Sequence, residues 1–139
     1  LIVLDTNVIS ELMRPLPSVS VVAWLNAQED ERIWTSAVSV LEVEFGLELI
    51  DDSARRLRLR RAFEQMIERD LGGRVLAFDA EAAACTATLS ALARKQGRSI
   101  ELRDAMIAGI TRLHRAQLAT RNVRHFGNCG VDLIDPWAG

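Results

Sequence analysis

Tyrosine is missing from this sequence, lysine occurs once (Lys95), cysteine twice and proline three times. Each scarcity excludes something. Two cysteines, Cys85 and Cys129, cannot build a disulfide framework and show no C-x-x-C spacing. With His114 and His125 they give no pair at zinc-ligand spacing, so they read as plain thiols of a reducing cytoplasm. Uninterrupted apolar runs stop at five residues, Val21 to Leu25. That is far short of the ~20 a membrane-spanning helix needs, so no membrane partner is implied. No secretory h-region with a small-residue cleavage site occurs either. The first residue is Leu1, and an initiator methionine is expected ahead of it.

What is present is a chain of 139 residues, 49% apolar and 26% charged, the size and composition of one globular domain over 1–139. At that length roughly two-thirds of the unfolded chain's surface becomes buried, so a core needs no staples. The net charge of −2 hides a split. Residues 1–52 hold ten acids and two bases, and residues 53–139 hold nine acids and fifteen bases, giving −8 against +6. Such asymmetry points to a polyanionic partner or an ion site, and leaves enzyme and scaffold both open.

Apolar runs alternate with helical patterns along the whole length. Leu1 to Leu4 reads as a buried strand stopped by Asp5-Thr6-Asn7, and Val8 to Met13 as a short helix ended by Pro15 and Pro17. Ser18 caps a helix to about Gln28, Glu29-Asp30-Glu31 is a turn, and Arg32 to Thr35 is a strand. Ser36 or Ser39 caps the next helix. Asp51-Asp52-Ser53 breaks it and starts a long helix to about Leu71, with Leu59, Phe63, Met66 and Ile67 on one face. Gly72-Gly73 ends that helix, and Arg74 to Phe78 forms a strand. Asp79 caps an alanine-rich helix to Lys95, and another helix spans about Leu102 to Arg115. Gln117 to Thr120 and Val131 to Ile134 complete five strands. Strands alternating with helices define an α/β domain with a mainly parallel sheet.

In such a sheet each crossover helix starts at the carboxyl edge, which is also where ligands bind. Asp5 follows the first strand, Glu42 lies in the first turns of the helix after the second, Asp104 begins the helix before the fourth, and Asn122 follows the fourth. All four fall on one rim. Singly each has a plain reading, as a helix cap, a residue favoured by the helix dipole, or a turn residue. Together they make a charge problem: two carboxylates ~4–5 Å apart repel by roughly 3–4 kcal/mol at an effective dielectric near 20. A proton or a cation must relieve it. All-oxygen ligands favour a hard ion, Mg²⁺ or Mn²⁺, able to activate water for in-line displacement at phosphorus.

Other strand-end chemistries fit poorly. A phosphoaspartate receiver needs a strand-end lysine, but Lys95 lies in a helix. A haloacid-dehalogenase-type phosphatase needs a second Asp where Asn7 stands. No G-x-G-x-x-G, P-loop or G-x-S-x-G string occurs.

Four ordered strings carry a resemblance. Leu1 to Asn7 resembles the opening of PIN-domain nucleases, an apolar strand followed by D-T-[NS]. Ser36 to Gly46 resembles the second block of that family, Asp104-Ala105-Met106-Ile107-Ala108 the third, and Ala119-Thr120-Arg121-Asn122 with Val123 to Phe126 the last. The match runs from end to end, and the chain is similar to PIN-domain ribonuclease toxins of the VapC/FitB type, from type II toxin–antitoxin pairs. The resemblance implies a Rossmann-like fold and Mg²⁺-dependent endoribonuclease activity. It assigns Asp5 and Asp104 as principal metal ligands, with Glu42 helping to bind metal or orient water. Thr6, Ser39 and Thr120 take supporting positions. Asn122 stands where many relatives carry a fourth acid, and His125 where the acid before Phe is common. The expectation is therefore one resting metal, with a second bound more weakly. Arg121 and Arg124 are expected to contact RNA near the metal.

The run Arg55, Arg56, Arg58, Arg60 and Arg61 keeps two readings. One is contact with RNA phosphates; the other is a solvated face partly paired with Glu64 and Glu68, or an antitoxin or dimer surface. Implied partners are a VapB/FitA-type antitoxin, a second copy of the chain, and DNA only through the antitoxin. The alternative reading is a catalytically weak PIN domain acting as a scaffold.

Overall fold

The computed structural model describes residues 1–138. Its sheet has five parallel strands in the order β3-β2-β1-β4-β5, formed by Ile2–Leu4 (β1), Ile33–Ser36 (β2), Val75–Leu76 (β3), Gln117–Ala119 (β4) and Asp132–Ile134 (β5). Seven α-helices among the described residues connect them: Thr6–Leu12 (α1), Val19–Asn26 (α2), Ala37–Glu48 (α3), Ser53–Gln65 (α4), Ala80–Lys95 (α5), Leu102–Leu113 (α6) and Val123–Phe126 (α7). Helices cover both faces, so the central strand is apolar throughout, as an all-parallel sheet requires. Val3 and Leu118 pack toward α5 and α6, with Leu89, Ile107 and Ile110. Ile2 and Leu4 point the other way, into a second core with Val8, Ile9, Val43, Leu47, Phe63 and Met66. No helix is long and apolar enough to cross a membrane among the described residues.

Several boundaries differ from the sequence expectation. The first helix begins at Thr6 rather than Val8, because the Asp5 carboxylate accepts from the Thr6 N–H at 2.8 Å. Ser36, not Ser39, caps α3, accepting from the Ser39 N–H at 3.1 Å. As expected of the Asp51-Asp52-Ser53 break, Asp52 caps α4 through the N–H groups of Ala54 and Arg55. The expected long helix to Leu71 is α-helical only to Gln65; Met66–Asp70 widens into a π-turn before the left-handed pair Gly72 and Gly73. The third strand shrinks to Val75–Leu76, the expected acidic turn closes as a 3₁₀ turn at Asp30–Arg32, and α7 was not foreseen.

Chain order reverses beside β1: β2 leaves on one side and β4 pairs on the other. The carboxyl ends of β1 and β4 are therefore neighbours, with the Asp5 N–H bonded to the Ala119 carbonyl at 2.9 Å. This is the switch point at which open α/β sheets form a crevice.

Candidate active site

Asp5 leaves the end of β1 and is 4% exposed. Its Oδ1 accepts from the Thr6 N–H, and its Oδ2 from the Thr120 hydroxyl at 2.7 Å and the Asn7 amide at 3.3 Å. Asp5 is thus both a helix cap and a rim acid. Thr120, fully buried at the end of β4, also accepts from the Asn7 amide at 3.3 Å and the Asn122 N–H at 3.0 Å. The Asn7 carbonyl oxygen accepts from the Arg121 N–H at 3.2 Å, tying the D-T-N turn to the β4 loop. The Thr6 hydroxyl bonds Glu42 Oε1 at 2.8 Å and the Ser39 hydroxyl at 2.9 Å. With a single proton it donates to the carboxylate and accepts from Ser39. No buried side-chain polar atom among the described residues lacks a partner.

Asp5, Glu42, Asp104, Arg121 and Asn122 line one open groove of about 750 Å³. Burial pushes the Asp5 carboxyl above its ordinary range; bonds from Thr120 and Thr6 oppose this, and the charges of Asp104 and Glu42 push it further. Burial also raises Asp104, helped by Glu101 and Glu42 and opposed by His125 and Arg103. The three acids feel one another but do not form a closed cage: among the described residues no three acid, His or Cys side chains stand close enough to be a ready-made metal cluster. Two basic side chains lie beside them. Arg103 lies 3.6 Å from Glu42 Oε2, and His125 Nδ1 lies 3.6 Å from Asp104 Oδ2. The chemistry of the donor set suits a hard cation, since all three are carboxylates whose mutual repulsion a cation would relieve.

The two expected RNA contacts part company. Arg121 lines the groove, its guanidinium carbon 5.0 Å from the centre of the Trp137 ring. Arg124, on α7, opens instead into an adjoining pocket beyond Asp104. Asn122 caps nothing with its side chain, leaving its amide at the groove. The arginine run on α4 divides: Arg60 pairs with Glu44 at 2.7 Å and Glu48 at 3.0 Å on α3, not with Glu64 or Glu68. Arg56 bonds the Ile50 carbonyl, and Arg55 lines the groove. Sequence reasoning passed over Asn7, Arg103 and Glu101. Asn7 was legible as the third letter of D-T-N; Glu101 shows the cap-box spacing to Asp104, whose N–H it accepts at 3.2 Å. For Arg103 no sequence signal existed.

A parallel α/β domain with an acidic crevice at its switch point is a class with many members. Residues 2–128 match the PIN domain, and the chain belongs to that family. Within it the similarity is to toxins: 40% identity to VapC ribonuclease Y4jK of Sinorhizobium fredii over 99% of this chain and 98% of that protein. Identity to toxin FitB of Neisseria gonorrhoeae is 36% over 99% of both. The crystal structure of FitAcB from the same species matches with a TM-score of 0.90 over 99% of each chain at 36% identity. A structure of FitAB bound to an IR36 DNA fragment matches with a TM-score of 0.89, over 99% of this chain and 96% of that one, also at 36% identity.

Proposed function

We propose that this chain is a metal-dependent endoribonuclease toxin, working as one domain in the cytoplasm and restrained by a VapB/FitA-type antitoxin. The observation that carries the reading is the meeting of Asp5, Glu42 and Asp104, from three separate elements, around one groove where two of them are pushed toward protonation. Its PIN-domain membership and its likeness to a protein named as a ribonuclease support the same conclusion. Asp5 and Asp104 would hold Mg²⁺ or Mn²⁺, with Glu42 as third ligand or as the group that orients water. When bound, the cation neutralises phosphodiester charge and makes water a better nucleophile.

The rest of the work belongs to the chain. Thr120 and Asn7 fix the direction of the Asp5 carboxylate, Thr6 with Ser39 fixes Glu42, and Arg121 holds phosphate beside them. Asn122 offers an uncharged amide at the groove. Exposed Leu41 and Phe45 on α3 and Leu49 at its C-terminal cap, spaced four apart, support a protein partner, either a second copy or the antitoxin. Contact with DNA would come through the antitoxin; the similar FitAB complex has been solved bound to a DNA fragment.

The test is expression without antitoxin of the wild type, Asp5→Asn and Asp104→Asn. Growth arrest from the wild type alone is expected, with RNA cleaved in vitro with Mg²⁺ and spared by EDTA. Equal toxicity of all three proteins refutes the reading.

A further inference from the structure

Asp104 stands between two cavities. On its far side from the groove lies a pocket of about 510 Å³ into which Arg98, Arg124, His125, Ser99 and Asn128 face. We propose that this pocket is a phosphate subsite, holding a backbone phosphate of the RNA strand next to the bond that is cut; the proposal rests on the nuclease reading above.

The charges there are uncommitted. Arg14, Arg60 and Arg103 all pair with carboxylates, but neither Arg98 nor Arg124 does among the described residues. Arg98 bonds only neutral oxygens, the Gln96 side-chain carbonyl and the Asn128 backbone carbonyl. Glu101, which lines the pocket together with Asp104, is occupied by Arg103 at 3.5 Å and by the Asp104 N–H. Two guanidinium groups with a hydroxyl and an amide close by are the donor set of a phosphate, not of a cation.

The fold builds the pocket from distant positions. Gly97, at φ +73°, ends α5 in a left-handed turn, with its own N–H returning to the Arg94 carbonyl and the Arg98 N–H to the Ala93 carbonyl at 2.9 Å. That turn aims Arg98 at α7, which carries Arg124 and His125. Because Asp104 lines both cavities, a strand crossing it places one phosphate over the acids and a neighbouring one between the arginines.

Salt dependence of RNA binding tests this apart from catalysis. The probe is a fluorescein-labelled, mixed-sequence single-stranded RNA of about 20 nucleotides, followed by anisotropy on full-length protein carrying Asp5→Asn to prevent turnover. Each phosphate contact on a single strand contributes about 0.7 to the slope of log affinity against log salt. The double variant Arg98→Ala/Arg124→Ala is expected to lose about 0.7 from that slope and about tenfold in affinity at low salt. Arg98→Lys/Arg124→Lys, which keeps the charge, retains most of the slope. Arg32→Ala, at the opposite edge of the sheet, leaves it unchanged. An unchanged slope in the double alanine variant overturns the proposal, as does an equal loss in Arg32→Ala. Wild-type protein that cuts no RNA with Mg²⁺ overturns the nuclease reading instead, and the slope still reports on the pocket.

Discussion

The Thr120 hydroxyl serves three neighbours at once: it donates to Asp5 and accepts from Asn122 and Asn7. Thr120→Val keeps the shape and removes the bonds, leaving a buried carboxylate oxygen and an N–H short of partners. The expected cost is about 1–3 kcal/mol of stability by urea unfolding, with a marked fall in RNA cleavage, and Thr120→Ser should recover both. The same bond holds the Asp5 carboxyl down against its burial, so its loss drives that group further up. A raised carboxyl in the folded state binds its proton more tightly than in the unfolded chain. Its contribution to stability is therefore present at low pH and is lost as pH rises through the folded value. In chelator, wild-type protein should lose stability relative to Asp5→Asn as pH rises above about 4, the unfolded value, and saturating Mg²⁺ should reverse the trend. Parallel melting curves across that range would count against the shift. The rim acids were legible because they sit in linear strings tied to strand ends. Arg103 was not, since its importance lies in the distant Glu42 carboxylate that it meets.

Helices α5 and α6 approach so closely that one glycine decides the spacing. A Cβ added at Gly109 would lie 2.0 Å from the Thr86 hydroxyl oxygen and 3.0 Å from the Thr86 Cα. Gly109→Ala should cost about 1–3 kcal/mol by thermal or urea unfolding, because the backbone atom cannot swing aside as a side-chain tip can. Adding Thr86→Ala should return only part of the loss. A neutral Gly109→Ala would mean the helices separate at little cost. The pair also explains what sequence could and could not say about elements. Caps at Ser18, Asp52 and Asp79 and the stop at Gly97 were readable, because each is a local bond between a side chain or turn and the backbone next to it. The π-turn after Gln65, the shortening of β3 to Val75–Leu76 and the single turn of α7 had no such local cause. β3 pairs only with Thr35 and Ser36 of β2, and α7 packs Phe126 into the core on the α6 side of the sheet. Both are tertiary effects.

Across the whole molecule the opposed charges of the two halves meet at one place. Asp5 and Glu42 come from the acidic half, Asp104 from the basic half, and the arginines of the rim flank them: Arg55 and Arg121 along the groove, Arg98 and Arg124 beyond Asp104. A polyanion entering this groove without a cation meets attraction at its flanks and repulsion at its centre. The net charge of −2 gives no general pull to compensate. RNA binding, and not only cleavage, should therefore depend on a divalent cation. Replacing Mg²⁺ with EDTA at constant ionic strength should weaken binding of single-stranded RNA by wild-type protein about tenfold or more, one centre of repulsion being exposed. Asp5→Asn/Asp104→Asn should bind as well in EDTA as in Mg²⁺, because the charge that demanded the cation is gone. If wild type binds equally in both, the flanking arginines dominate and the acids act only on the bond being cut. If the double variant keeps its dependence on Mg²⁺, the cation is held elsewhere on the protein or acts on the RNA, and the assignment of Asp5 and Asp104 as its ligands fails.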